Sequence, residues 1–171
     1  MLAAQQGHET VVSVLHRVAG ASVHHVNNEG VTAMHMAATC GHVGVVRYLL
    51  RARDNPNVVS TYCNGSTPLT FASSKGNPAV VLALIEGGAN VNYSRSDGAT
   101  SLILAAQNGH IEVVRALLAA NADPRIVSHK GNTAFSLAKA QNHPVITALL
   151  EARLAELAAT ALAPAAGAGS A

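Results

Sequence analysis

The sequence of 171 residues contains no tryptophan, and aromatic residues make up only 3% of it. Hydrophobic residues still make up 49%, which argues against a disordered chain. With few large side chains, a core of alanine, valine and leucine must be stabilised by many close contacts between small groups. This composition favours closely packed helices, in one compact domain or a short repeat array.

Cysteine is scarce as well, because Cys40 and Cys63 are the only two. Two cysteines do not form a disulfide framework, and no CxxC metal motif occurs. No apolar run reaches membrane-spanning length, and the amino terminus has no basic region followed by an apolar one. We therefore expect no membrane insertion and an intracellular location, in the cytoplasm or alternatively in the nucleus.

An excess of charge of one sign is also missing, since 11 basic and 9 acidic residues give a formal charge of +2. A balance this even argues against nucleic acid and against an anionic membrane as the binding partner.

Glycine, by contrast, recurs along the chain in two series that have the same period. The first comprises Gly30, Gly65, Gly98 and Gly131, at intervals of 35, 33 and 33 residues, and a threonine follows each glycine two residues later. The second comprises Gly7, Gly41, Gly76, Gly109 and then Asn142, and most of its members precede a histidine. A shared period of 33 to 35 residues indicates an array of structural repeats.

Each position that recurs from one unit to the next has a physical role. The threonine stands where a helix N-cap belongs, and the glycine before histidine ends that helix in a left-handed conformation. Paired apolar residues, such as Val113, Val114, Leu117 and Leu118, then give a second helix one buried face. Pro78 and its counterpart in the last unit start this second helix, where a missing amide hydrogen is harmless.

These motifs resemble those of the ankyrin-repeat family. Residues 67–72 (TPLTFA) and 32–37 (TAMHMA) are similar to the family's opening T-P-L-H-x-A. Residues 109–118 (GHIEVVRALL) resemble the second helix, and residues 88–92 (GANVN) resemble the loop that follows it. The resemblance covers about residues 1–150.

The resemblance implies an all-α solenoid of stacked helix–turn–helix units joined by β-turn or hairpin loops. We predict an ankyrin-repeat domain over residues 1–160 and a flexible, low-complexity tail over 161–171. A partial repeat over 1–26 precedes repeats at 27–61, 62–94, 95–127 and 128–160, the last with a capping helix to about Thr160. Two extra residues around Arg53 and Asp54 should bulge out of a loop without breaking the helix before it.

The chain starts inside a repeat, because Met1 matches the fourth position of T-P-L-H. Two interpretations stay open: the chain is cut from a longer array, or its first half-repeat is native and frays.

We expect no catalytic residues, no cofactor and no metal, because the repeat accounts for most chemically active side chains. His35 and His42, the neighbours of Cys40, occupy motif positions at which the family hydrogen-bonds its own scaffold. His24 and His25 lie outside the motif, and we interpret them as solvated loop residues; a weak metal site with His8 or His16 is the alternative. A basic cluster of Arg47, Arg51 and Arg53 is either a solvated helix face or a contact for an acidic partner.

The family's usual contact surface, carried over repeat by repeat, combines the β-turn tips with the concave ends of the first helices. The tips are Asn28, Glu29, Tyr62, Cys63, Asn64, Arg95, Ser96, Asp97, His129 and Lys130, with Tyr93 just before the third tip. The helix ends are Gln5, Gln6, Thr39, Cys40, Ser74, Lys75, Gln107, Asn108 and Gln141. Tyr62 and Tyr93 are the candidate hot spots, with packing in the loop as the alternative role.

We therefore expect a monomeric module that binds another protein. The alternative is a regulatory or targeting domain of a larger protein whose catalytic or membrane part lies outside this chain. The loop asparagines Asn27 and Asn92 are candidate positions for hydroxylation, by analogy with the family.

Overall fold

The computed structural model describes residues 1–162, which form ten helices and a single isolated β-bridge. The odd-numbered helices, termed inner, pack on one another along the chain, and the even-numbered outer helices form a second layer against them. This arrangement confirms the predicted all-α solenoid. The helices are α1 (Leu2–Gln5), α2 (Glu9–Arg17), α3 (Ala33–Cys40), α4 (Val43–Arg51), α5 (Pro68–Lys75), α6 (Pro78–Glu86), α7 (Ser101–Gln107), α8 (Ile111–Ala119), α9 (Ala134–Ala140) and α10 (Pro144–Leu162).

A threonine caps each of the four complete inner helices, as predicted. The Thr67 hydroxyl accepts from the Thr70 amide at 3.3 Å, and the Thr70 hydroxyl accepts in return from the Thr67 amide at 2.8 Å. In the first complete unit the ring of His35 takes the second role, because its Nδ1 accepts from the Thr32 amide at 3.2 Å. Two otherwise unpaired amides are thus satisfied at the start of these helices.

The glycines that follow the inner helices α1, α3, α5 and α7 have two structural roles, illustrated by Gly76. Gly76 has a φ of 75°, a left-handed conformation that favours glycine. A Cβ atom there would also lie 2.5 Å from the Nδ1 of His110, which belongs to the next unit. Gly7 is equally close to His42. The ladder of Gly-His pairs therefore marks where one unit touches the next.

These histidines bind the preceding inner helix through their other ring nitrogen. The Nε2 of His42 lies 2.9 Å from the Gln5 carbonyl, and the Nε2 of His110 lies 3.0 Å from the Ser74 carbonyl. Because a carbonyl only accepts, Nε2 must carry the proton. In the third unit Asn77 replaces histidine, and its amide donates to the Ala38 carbonyl at 2.9 Å.

The core consists of small and branched side chains, as the composition predicts. Alanines of the inner helices, such as Ala37 and Ala105, are fully buried and allow neighbouring helices to approach. Each outer helix from α4 onward adds a pair of residues that are at most 1% exposed. These pairs are Val45 and Leu49, Val80 and Leu84, Val113 and Leu117, and Ile146 and Leu150.

The corresponding pair in α2 is exposed. Val11 and Leu15 are 46% and 43% accessible, because no helical unit covers this side of α1 and α2 in residues 1–162. The inner helix α1 is also short, spanning only Leu2–Gln5. One end of the stack thus presents the apolar face that the other units bury.

The two-residue insertion differs from its prediction. Helix α4 ends at Arg51 unbroken, as expected, and Arg53 adopts a left-handed φ of 63°. Asp54, however, turns inward instead of bulging out and is 5% exposed. Its Oδ1 accepts from the Asn55 amide at 2.9 Å and lies 3.1 Å from the Nδ1 of His24. Burial raises the pKa of Asp54, although the contact with His24 opposes that rise.

His24 is therefore a structural contact rather than only a solvated loop residue. Among the other candidate metal ligands, His16 pairs with the Tyr48 hydroxyl at 3.0 Å. In the part of the chain that the structure describes, no group of three or more potential metal ligands comes together.

The last helix closes the other end of the stack. Helix α10 runs to Leu162, two residues beyond the predicted end, and Leu150 is fully buried. Arg153 donates to the Asn121 side chain at 3.2 Å, which connects this helix to the preceding unit, and to Glu156 within the same helix at 3.0 Å. The predicted tail starts at 161, so its first two residues are helical, and residues 163–171 lie outside the described range.

Comparison of the exposed Leu15 with its buried counterpart Leu117 tests directly how the stack is stabilised. Leu117→Ala should lower the free energy of unfolding by about 2 to 5 kcal/mol, because it leaves a cavity between two units. Leu15→Ala should cost clearly less, since this side chain is 43% accessible already. Urea unfolding of both variants measures the difference, and equal losses would contradict the assignment of an uncovered face.

The buried ring of His35 predicts acid sensitivity. Burial lowers the pKa of His35 below its ordinary value of 6.5, although a hydrogen bond to the Ser66 carbonyl opposes this. The unfolded chain therefore binds more protons below pH 6.5, and the folded state loses stability as the pH falls through that value.

The matched variant is His35→Thr, because Thr70 closes the same cap in the next unit. The stability advantage of the wild type over this variant should shrink between about pH 7 and pH 5. Thermal unfolding at a series of pH values measures it, and a constant difference would show that His35 does not titrate in this range.

Candidate protein-binding surface

The predicted tips form a continuous row along the stack. Each tip donates a backbone hydrogen bond to the tip before it: Tyr62 to the Glu29 carbonyl at 3.1 Å, Ser96 to Asn64 at 3.0 Å, and His129 to Asp97 at 3.0 Å. The row and the solvent-facing side of the inner helices together are termed the inner surface. The unit-to-unit bonds hold its side chains at a regular spacing.

None of the predicted contact residues is buried. Fifteen of them are exposed, namely Gln5, Gln6, Asn28, Glu29, Cys40, Tyr62, Cys63, Asn64, Lys75, Ser96, Gln107, Asn108, His129, Lys130 and Gln141. Five are partly buried, namely Thr39, Ser74, Tyr93, Arg95 and Asp97. Whether a partner contacts these residues stays a prediction.

The third tip carries a charge pair. Arg95 donates to both carboxylate oxygens of Asp97, at 2.6 and 3.2 Å, and Asn64 of the preceding tip donates to the same carboxylate at 3.3 Å. Burial alone raises the pKa of Asp97, but the hydrogen bonds from Arg95 and from the Ala99 amide outweigh it and hold that pKa below its ordinary value. This carboxylate is thus already occupied by partners from its own scaffold.

At the ends of the inner helices, the backbone and the side chains have different roles. The Ser74 carbonyl accepts from both Asn108 and His110, at 3.0 Å each. The Gln107 carbonyl accepts from His143 at 3.2 Å. The backbone at these ends therefore belongs to the stack, whereas the side chains of Lys75 and Gln107 extend into solvent.

The two tyrosines, which have the same predicted role in the sequence, lie in different environments. Tyr62 is 59% accessible and is the large exposed side chain of its tip. Tyr93 is half-buried, and its hydroxyl donates to the Gly65 carbonyl at 2.9 Å. Tyr93 therefore has the packing role that the sequence left as the alternative, while Tyr62 keeps the profile of a contact residue.

One part of the inner surface was not predicted from the sequence. Met36, Phe71, Leu104 and Leu137 each follow the capping threonine by four residues, at the same point of four successive inner helices. The fixed offset from threonine was the signal that could have found them. Leu104 is 9% exposed, and the other three are partly buried.

Leu104 and Leu137 line the floor of a groove of about 200 Å³ between α7 and α9. Its rim carries Arg95, Asp97 and Lys130 from two adjacent tips, and Gln107 from the end of α7. The groove therefore combines an apolar floor with a polar rim, an arrangement typical of sites that bind a side chain and fix its orientation.

The remaining candidate residues have scaffold contacts or plain exposure. The Asn27 side chain accepts from the Val31 amide at 2.9 Å, and that of Asn92 accepts from the Asp123 amide at 2.8 Å. Hydroxylation of either stays a prediction. Cys40 and Cys63 are exposed free thiols, and the arginines of α4 and its following loop, Arg47, Arg51 and Arg53, are exposed. Among the helices of residues 1–162, none has both the length and the hydropathy to cross a membrane.

The stacked hairpins, their capped inner helices and the row of tips define a repeat-type solenoid. A family model described as ankyrin repeats (3 copies) matches residues 1–95, 52–128 and 84–161. The chain belongs to the ankyrin-repeat family. Ankyrin repeats are in general protein–protein interaction modules, and the family is typically non-catalytic. A search of curated proteins found no match to the chain.

The two tyrosines should respond differently to loss of the hydroxyl. Tyr93→Phe should lower the free energy of unfolding by about 0.5 to 1.5 kcal/mol, because the Gly65 carbonyl loses its donor. Tyr62→Phe should leave stability unchanged, since the Tyr62 hydroxyl has no hydrogen-bond partner within residues 1–162. Thermal and urea unfolding of both variants test this, and a larger loss for Tyr62→Phe would reverse the assignment.

Proposed function

We propose that this chain binds another protein through the inner surface, with the tips and the ends of the inner helices as contact positions. One observation carries the proposal. Within the complete units most motif residues are buried or hydrogen-bonded to the stack, whereas most tip and helix-end side chains are exposed in a fixed row. Side chains that the fold does not use are available to a partner at no cost in stability.

The outer helices offer a weaker alternative. Their exposed faces carry charged residues that pair locally, such as Glu112 with Arg115 and Glu156 with Arg153. Local pairing leaves less charge for a partner, and exposed pairs of this kind contribute little energy. The row of tips also spans several units, so a partner can contact many of them at once.

Two matched triple variants test the proposal. The inner variant combines Glu29→Ala, Tyr62→Ala and Lys75→Ala. The outer variant combines Glu86→Ala, Leu82→Ala and Arg115→Ala, and it removes the same kinds of side chain from α6 and α8. All six residues are exposed, so both variants should fold.

The measurement is affinity capture of the tagged proteins from cell extract, compared by quantitative mass spectrometry, followed by titration of each captured protein with purified variants. The inner variant should weaken binding by about tenfold or more, as loss of a hot-spot residue does, and the outer variant should have little effect. Equal retention by wild type and inner variant, or loss only with the outer variant, would contradict the proposal.

A further inference from the structure

We infer that the groove between α7 and α9 binds an extended segment of a partner protein that carries a carboxylate next to a large apolar side chain. This inference rests on the proposed function, because it names the chemistry of the partner at one point of the inner surface. Three features of the groove support it, namely its charge, its floor and its rim amides.

The charge of the groove is positive once its internal pair is taken into account. Arg95 and Asp97 neutralise each other through two hydrogen bonds. Lys130, on the same rim, takes part in none of the salt bridges found in residues 1–162. A ligand carboxylate near Lys130 therefore meets a cation without a competing anion.

The distribution of charge over the last three units directs an anion to this side. Four acidic residues of these units, Glu86, Glu112, Glu151 and Glu156, lie on the outer helices α6, α8 and α10. These outer helices also carry Arg115 and Arg153, whereas the inner helices and tips of the same units carry Lys75, Arg95, Lys130 and Lys139, with Asp97 as their only acidic residue. Such an asymmetry steers an acidic segment to the inner surface and repels it from the outer one.

The floor supplies the apolar part of the match. Ile103, Leu104 and Leu137 line a space of about 200 Å³ that no side chain within residues 1–162 fills. An aliphatic or aromatic side chain placed there removes apolar surface from water on both partners.

The rim also offers hydrogen bonds suited to a main chain. Gln107 and Asn132 flank the groove, and each side-chain amide can both donate and accept. An extended segment presents both kinds of backbone group and has no internal hydrogen bonds to break. These amides fit a peptide better than a nucleic acid, whose phosphates would need more cations than Lys130 and a neutralised Arg95.

The chain's own terminal stretch lacks the required chemistry. Residues 163–171 (APAAGAGSA) contain no acidic residue and no large apolar residue. Residues 163–171 therefore do not match the inferred occupant.

The test is selection from a phage library of random peptides about 12 residues long, an extended reach of roughly 40 Å, on the immobilised full chain. Recovered peptides should be enriched in Asp or Glu beside Leu, Ile or Phe, relative to the unselected library. Synthetic copies should lose about tenfold in affinity when the acid is changed to its amide, or the apolar residue to Ser.

Two charge-reversal variants place the binding site without disturbing the fold. Lys130→Glu should weaken the selected peptides by about tenfold or more, because it reverses the charge on the rim. Arg115→Glu is the matched control, since Arg115 is exposed on the outer helix α8 and does not line the groove. It should change the affinity by less than about twofold.

Several results would overturn the inference. They are enrichment of basic peptides, enrichment without charge bias, equal effects of the two charge-reversal variants, or no enrichment at all. If unbiased peptides bind and the inner triple variant weakens them, the groove assignment fails while the proposed function stands. If neither peptides nor captured proteins depend on the inner surface, both fail. Competition by single-stranded nucleic acid, with no peptide enriched, would point to the other class of ligand.

Discussion

The contact between a histidine ring and the end of the preceding inner helix sets the geometry of the whole stack. His42, His110 and His143 each place Nε2 on a carbonyl of the previous unit, at 2.9 to 3.2 Å. Each ring occupies the space that a Cβ would need on the glycine at the end of the previous unit's inner helix. Helix end, unit spacing and the direction of the next helix are therefore fixed at one point, and Asn77 takes the place of the histidine in one of the units.

The inner surface depends on that contact. Because each unit is held at the same distance from the last, the tips meet in register and donate backbone hydrogen bonds to one another. The buried positions can then consist of small side chains such as Ala105 and Val113, since regular spacing makes close packing possible throughout. Side chains that belong neither to the core nor to the contacts between units, among them Tyr62 and Lys130, are not required for folding. Their chemistry can therefore be suited to a partner.

The fold was predictable from the sequence because its determinants are local and repeated. A threonine before a helix and a glycine after it act through their own backbone neighbours, and four copies make the pattern plain. Features that depend on one unrepeated contact were not predictable. Asp54 turns inward because His24, thirty residues earlier, meets its carboxylate, and no period marks that pair. The different roles of Tyr62 and Tyr93 depend on a single hydroxyl that reaches Gly65.

The candidate site was predictable only in outline. The tips and helix ends follow from the repeat, but the groove floor at Leu104 and Leu137 depends on how two units face each other across an opening. Its charge depends on which ions already pair, and Arg95 with Asp97 is a pair that sequence spacing alone does not distinguish from two free charges.

Because Val11 and Leu15 of α2 are exposed, the two ends of the stack should differ in how readily they open. In a linear array each unit is stabilised by its neighbours, so a unit covered on one side only opens more readily than one covered on both. Val11 and Leu15 have no covering unit within residues 1–162, whereas the far end is closed by the long helix α10. Amide protection against hydrogen exchange should therefore rise from α2 towards the interior units. Local unfolding should begin at the amino-terminal unit and proceed from one unit to the next.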